Sequence, residues 1–219
     1  MSPGRAFRRS EHQDQLSTSQ YYALRLAGAQ TGPEEHAAIL KKALKSIESN
    51  PAHQDARLKM VLTGAFCERL PLAMIEEFEA EGVAIVGDDM LLGQRWWTKL
   101  LPLDGNPIRS LAEFCVKEAV TTSVVHKKDP SAVSRATLNS VIERKADGVI
   151  VAAAKFCHPA LSDIASIVKT CEENGVPYIR LEFEESMNVF APIRLQIQAL
   201  LEARAHLPFA GTESGGGVR

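Results

Sequence analysis

Four short apolar runs, each separated from the next by a stretch with helical spacing, limit how this chain can fold. RLKMVLT (57–63), VAIVG (83–87), GVIVAAA (148–154) and PYIRLEF (177–183) are rich in Val, Ile, Leu and Ala. Largely continuous apolar runs of this length suit strands covered on both faces. Helical segments between them make the strands parallel, because a parallel pair needs a crossover connection. Right-handed crossovers then predict a doubly wound α/β domain: a mostly parallel four-stranded sheet in the order 2-1-3-4, with helices on both faces.

The segments between the strands divide as follows. A helix is expected at 70–80 and a longer, less regular helical section at 90–120, which holds Trp96, Trp97 and Cys115. SVVH (123–126) is short and ambiguous. Asp129-Pro130-Ser131 opens a helix reaching 145. Another spans 159–174 and is stopped by Gly175, and a last one spans 188–204. Upstream lie two helical patterns, 21–29 and 33–49. The second begins PEEH, carries Leu40, Ala43, Leu44 and Ile47 on one side, and ends at Ser49-Asn50-Pro51. The expected organisation is a disordered lead (1–20), a helical segment (21–50), the α/β domain (51–206) and a flexible tail (207–219) ending in GTESGGGVR.

Composition narrows the setting. A formal charge of −2, from 25 basic and 27 acidic residues, gives no electrostatic footprint for nucleic acid or membrane surfaces. No apolar run approaches the roughly 20 residues of a membrane span. Arg5, Arg8 and Arg9 are followed by no apolar core, so no secretory signal is expected, and Glu11 and Asp14 come too early for a mitochondrial presequence. The expected location is the cytoplasm. There, Cys67, Cys115, Cys157 and Cys171, with no C-x-x-C pair among them, are thiols or metal ligands rather than disulfides.

Sites in doubly wound sheets form beyond the carboxyl ends of the strands, where the strand order reverses. Here that point lies between strands one and three, and the loops that follow those strands carry Cys67 and Cys157. Cys157 sits at the tip of GVIVAAA in the sequence KFCHP, where a helix opens with Pro159 in its first turn. The helix dipole and unpaired N–H groups at such a start favour a thiolate. Three readings compete. The thiol is a small apolar group packed at a strand end; or a nucleophile, although its neighbour His158 points in another direction from a helix start; or a metal or cluster ligand whose partners converge from elsewhere.

FCHP after an apolar strand, NGVPYIRLEFE, and a closing helix with Ile193, Arg194 and Gln198 together resemble the C-terminal part of the 2-hydroxyacyl-CoA dehydratase/benzoyl-CoA reductase family. TGAFCERLPLAMIEEFEAEGVAIVGDDMLLGQRWW (63–97) is most similar to the benzoyl-CoA reductase branch, and GPEEHAAILKKAL also has the family's look. The resemblance spans 15–205. It implies a cytoplasmic subunit bearing a four-iron four-sulfur cluster, held by cysteines from two domains, with Cys157 as the motif cysteine. It also implies a homologous second subunit, an ATP-hydrolysing electron-donor activator and an aromatic acyl-CoA substrate. Two departures are visible. Family subunits are nearly twice this length, their N-terminal domain carrying the other cluster cysteines, and His158 replaces the acid that usually follows the cysteine. The chain is therefore expected to be a fragment, a truncated gene product or a paralogue without the chemistry. It is not expected to hold four irons or to be active alone. The competing functions are a cluster-free assembly module, including a truncated 2-hydroxyacyl-CoA dehydratase paralogue, and a thiol redox protein.

Other residues fit around that reading. Cys67 is expected either to line the cluster pocket as a second ligand or to be a reduced thiol in a tight turn. Phe66, Phe156 and Trp96 are expected to expose apolar surface at the crevice. Asp88 and Asp89 either bind a cation or begin a loop. Arg95 and Trp96 contact an acyl group or a partner, or pack internally. Lys155 either supports charge at the cluster or is solvated, and Arg194 is expected to pair with Glu182 or Glu184. Cys115 and Cys171 lie in helical patterns and are read as core.

Overall fold

The computed structural model describes residues 16–49, 58–64, 70–90, 101, 105–114, 116, 131–184, 187 and 189–206. Four strands, β1 (Leu58–Gly64), β2 (Val83–Asp88), β3 (Gly148–Ala154) and β4 (Tyr178–Phe183), form one sheet in the order β2-β1-β3-β4 with all neighbours parallel. Both the order and the direction are those predicted by the alternation. The strand limits also agree to within a residue. Pro177 lies just outside β4, yet its carbonyl already accepts the N–H of Val149 at 2.9 Å, so pairing starts before the strand does.

The described helices are α1 (Thr18–Gln30), α2 (Pro33–Ser49), α3 (Leu72–Ala80), α4 (Pro107–Glu113), α5 (Ala132–Arg144), α6 (His158–Glu173) and α7 (Ala191–His206). The crossover through α3 leads from β1 to one edge of the sheet, and that through α6 leads from β3 to the other. Right-handed connection therefore places α3 and α6 on opposite faces. Side-chain contacts agree. Arg194 of α7 pairs with Glu77 of α3, and α1 docks on α3 through Glu79, while Ser166 of α6 meets Ser134 of α5 at 3.2 Å.

β3 is buried along its whole length and β1 nearly so, which is why they read as unbroken apolar runs. β4 is an edge strand. Ile179, Leu181 and Phe183 face the core, whereas Arg180 and Glu182 are exposed. Large side chains of α3 (Met74, Ile75, Phe78) and α6 (Ile164, Ile167) complete the two covering layers. The end of α6 follows the sequence signal. Gly175 takes φ +63°, and Val176 N–H reaches back to Cys171 O at 2.9 Å, a left-handed stop that a β-carbon would strain.

Two boundaries differ from expectation. α1 starts at Thr18, inside the stretch read as an unstructured lead. Ser17 accepts the N–H of Gln20, and the Gln20 side chain accepts the N–H of Ser17, so a reciprocal cap begins the helix before its apolar pattern is visible. The long helical section at 90–120 is not continuous. Gly105 has φ +94°, and Asn106 Oδ1 accepts from Ile108 and Arg109, so a new short helix, α4, begins there with no buried residue. SVVH and Cys115 lie outside the described residues.

Candidate functional site at the tip of β3

The end of β1 pairs with β3 two residues short of its tip. Gly64 ends β1 with φ +134°, and Ala152 pairs with it in β3. Phe66 and Cys67, which follow β1 in sequence, lie outside the described residues, as do Arg95 and Trp96. The site can therefore be built only from its β3 side and from the end of β2.

After Ala154 the chain turns sharply. Cys157 N–H donates to Ala154 O at 3.1 Å, closing a four-residue turn whose third residue is Phe156 with φ +63°. Cys157 itself, at φ −80° and ψ 80°, is the centre of an inverse γ-turn closed by His158 N–H to Phe156 O at 3.0 Å. Ala160 N–H then donates to Cys157 O at 3.1 Å, and Pro159 has no N–H to give. The first donors of α6 are thus engaged by backbone carbonyls. The thiol does not cap the helix and is half-buried at the crevice.

The flanking residues divide sharply in exposure. Phe156 is 90% exposed, the most exposed large hydrophobic side chain described. His158 is exposed beside it. Lys155, on the other side of Phe156, is ion-paired with Glu184, which follows β4, and this contact holds its ammonium pKa above the usual value. Its backbone N–H also donates to Phe183 O at 2.9 Å, so the tip of β3 is tied to the end of β4. Glu184 is therefore not the partner of Arg194. Arg194 turns inward to Glu77 on α3, and Glu182 lies 3.9 Å from Arg180 on its own strand. The difference follows from topology: α7 returns over the sheet to the α3 face, while the exposed side chains of β4 stay at the edge.

At the end of β2, the acid pair begins a loop. Asp88 Oδ1 accepts Met90 N–H at 3.0 Å, and Asp89 N–H donates to Leu62 O at 2.8 Å. Two residues outside the expected set surround Asp88. Arg144 of α5 donates to Val86 O at 2.6 Å; burial lowers its pKa, and Asp88 opposes that shift. Tyr22 of α1 is fully buried, and its hydroxyl has no hydrogen-bond partner among the described residues. Burial raises the Tyr22 pKa well above its ordinary value, and the negative charge of Asp88 adds to the effect. The Thr63 hydroxyl at the end of β1 is likewise buried and unpartnered among the described residues. A single hydroxyl in an apolar run, and a tyrosine in a preceding helix, carry no spacing signal that ties them to Asp88. Among the described residues, no three His, Cys, Asp or Glu side chains converge as metal ligands. Cys171 lies in the core of α6, where burial, with Glu172 second, pushes its thiol up to about 11. No described helix is long and apolar enough to cross a membrane.

Residues 5–203 match the family described as 2-hydroxyglutaryl-CoA dehydratase, D-component. The C subunit of benzoyl-CoA reductase from Thauera aromatica is 30% identical over 188 residues, covering 86% of this chain and 49% of that protein. The (R)-phenyllactyl-CoA dehydratase beta subunit of Clostridium sporogenes is 32% identical over 160 residues, 73% of this chain and 40% of its own. The beta subunit of lactoyl-CoA dehydratase from Anaerotignum propionicum is 26% identical over 170 residues, 77% of this chain and 44% of its own. The chain spans about half the length of these curated relatives or less. With nearly all of its α/β domain inside the matched region, the chain belongs to the 2-hydroxyglutaryl-CoA dehydratase D-component family.

Proposed function

We propose that this chain forms part of a cytoplasmic iron–sulfur subunit of the benzoyl-CoA reductase type. In this reading Cys157 gives one thiolate to a four-iron four-sulfur cluster, and Cys67 lies in the loop that faces it. The enzyme is made whole by a second, homologous subunit, an ATP-hydrolysing protein supplies electrons, and the acceptor is an aromatic acyl-CoA. One observation carries the proposal: the Cys157 thiol is half-buried beyond the carboxyl end of β3, beside the reversal of strand order. The names of the relatives support the substrate class and the subunit organisation.

The described residues fit one corner of such a cluster and no more. A cluster of this kind takes about four cysteine thiolates, and the described residues bring together no set of three ligands. The remaining ligands must come from Cys67 and from polypeptide outside the described residues. When bound, the cluster would supply one-electron chemistry at low potential. The chain's own contribution is to fix the thiol through the two turns at Phe156 and Cys157, and to tie the β3 tip to β4 through Lys155 and Glu184.

The test is iron content in the assembled enzyme, purified without oxygen. Cys157→Ser should abolish iron retention and leave the fold intact, whereas Cys171→Ser should keep the iron. Equal loss from both variants would overturn the ligand assignment. An assembled wild-type enzyme without iron would instead establish the cluster-free assembly module.

A further inference from the structure

The two edges of the sheet are finished differently. On the β2 side, Val86 drops out of register with β1, and its carbonyl accepts from Arg144 at 2.6 Å. A bulge and a charged side chain both keep a strand edge from pairing with another chain. The described part of β4 has neither device on its backbone. Pro177 O accepts from Val149 and Phe183 O accepts from Lys155, so the odd-numbered residues of β4 turn their backbone groups towards β3. Tyr178, Arg180 and Glu182 therefore turn their N–H and C=O groups outward. Among the described residues these groups meet no hydrogen-bond partner.

The side chains of this open edge are complementary to themselves. Arg180 and Glu182 are each half exposed and differ in sign. Like charges set opposite each other would repel a second strand. In antiparallel pairing with a two-fold axis at Leu181, Arg180 of each copy instead stands opposite Glu182 of the other. Both residues carry outward backbone groups, so each such pair exchanges both of its N–H···O bonds. An axis at Arg180 or at Glu182 would set like charges opposite each other, so charge selects one register. At the ends Tyr178 would face Glu184, and each is already bonded within its own chain, to Glu172 and to Lys155. Two-fold pairing also closes, because it uses both open edges and leaves none for a third copy.

We infer that the outer edge of β4 is the seam of a two-fold dimer of this chain, joining two four-stranded sheets into one continuous sheet. The seam runs along the side of β4 that faces away from β3 and the Cys157 crevice. The inference uses no iron and does not rest on the function proposed above. An edge of six residues buries little surface, so the association is weak and is reduced by salt.

Sedimentation equilibrium of the full chain from about 10 μM to about 1 mM tests this. The wild type should show a monomer–dimer equilibrium with a Kd of about 10–100 μM, weaker in concentrated salt. Arg180→Glu and Glu182→Arg should each weaken the dimer about 10-fold or more, because each sets like charges opposite across the seam. The swap of both, R180E with E182R, should restore Kd to within about 3-fold of the wild type, since the same register again pairs opposite charges. Both side chains are exposed, so all three variants should melt within about 2 °C of the wild type at low concentration. A wild type that stays monomeric throughout the range overturns the inference. A dimer indifferent to the single reversals does so too, because it would associate through another surface. A swap that fails to restore the dimer would overturn the antiparallel register and with it the seam.

Discussion

Gly64 and Ala152 meet so closely across the β1–β3 seam that a β-carbon on Gly64 would lie 1.8 Å from the Ala152 carbonyl oxygen. The next nearest atoms, 2.7 and 2.9 Å away, also belong to the Ala152 backbone, so no side chain can move aside. The close approach sets the end of β1 against the strand that presents Cys157. Gly64→Ala adds this clash to a φ of +134° that alanine rarely adopts. We expect a loss of at least about 3 kcal/mol in urea unfolding, or failure to fold. A loss below about 0.5 kcal/mol would mean that the seam is not as tight as described.

The Arg194–Glu77 ion pair joins α7 to α3 across the same face of the sheet. Arg194 is 51% exposed and Glu77 only 16%, so solvent screens one partner and not the other. A double-mutant cycle of Arg194→Met and Glu77→Gln should give a coupling of about 0.5–1 kcal/mol, reduced by salt. The same cycle with Glu184 in place of Glu77 should give none, because Glu184 is held by Lys155.

The parts of this fold that could be read from the sequence are those where burial is uniform. GVIVAAA is buried at every position, and its predicted limits match β3 without change. The four-strand order followed from the handedness of the connections, which does not depend on any one side chain. Reading failed where polar side chains choose among several partners. Nothing in the sequence spacing separates Glu77 from Glu182 or Glu184 as the partner of Arg194; only the return path of α7 over α3 decides it. The cap at Ser17 and Gln20 was missed because it precedes any apolar periodicity. At the site, the location of Cys157 beyond β3 was legible from the strand that precedes it. The left-handed turn at Phe156 was not, since glycine rather than phenylalanine is the usual sign of such a turn. Cys67, Phe66, Arg95 and Trp96 lie outside the described residues, so they remain part of the proposal.

The buried hydroxyl of Tyr22 gives a third prediction. It has no hydrogen-bond partner among the described residues, so its desolvation is uncompensated. Tyr22→Phe keeps the ring in the core and removes that cost. The variant should be as stable as the wild type or more stable by about 1 kcal/mol at neutral pH. A loss above about 1 kcal/mol would show that the hydroxyl is hydrogen-bonded in solution.

The last prediction concerns alkaline pH and depends on the sign of the Cys171 shift. Burial raises this thiol from its ordinary 9.0 to about 11 in the folded chain, because the thiolate is disfavoured in the core. Below pH 9 the thiol is protonated in both folded and unfolded chains, and the shift has no effect on their balance. As pH rises from 9 towards 11, the unfolded chain loses this proton first, so the unfolded state gains and stability falls. The full effect of this one group is at most about 2–3 kcal/mol, reached above pH 11. Tyr22 acts in the same direction from about pH 10 upward, since its pKa is also raised. Cys171→Ala removes the first contribution and not the second. Urea unfolding of both proteins at several pH values should show their stability difference constant up to pH 9 and then moving in favour of the variant between pH 9 and 11. A difference that stays flat across that window would mean that Cys171 reaches solvent, and that α6 does not pack on the sheet as described.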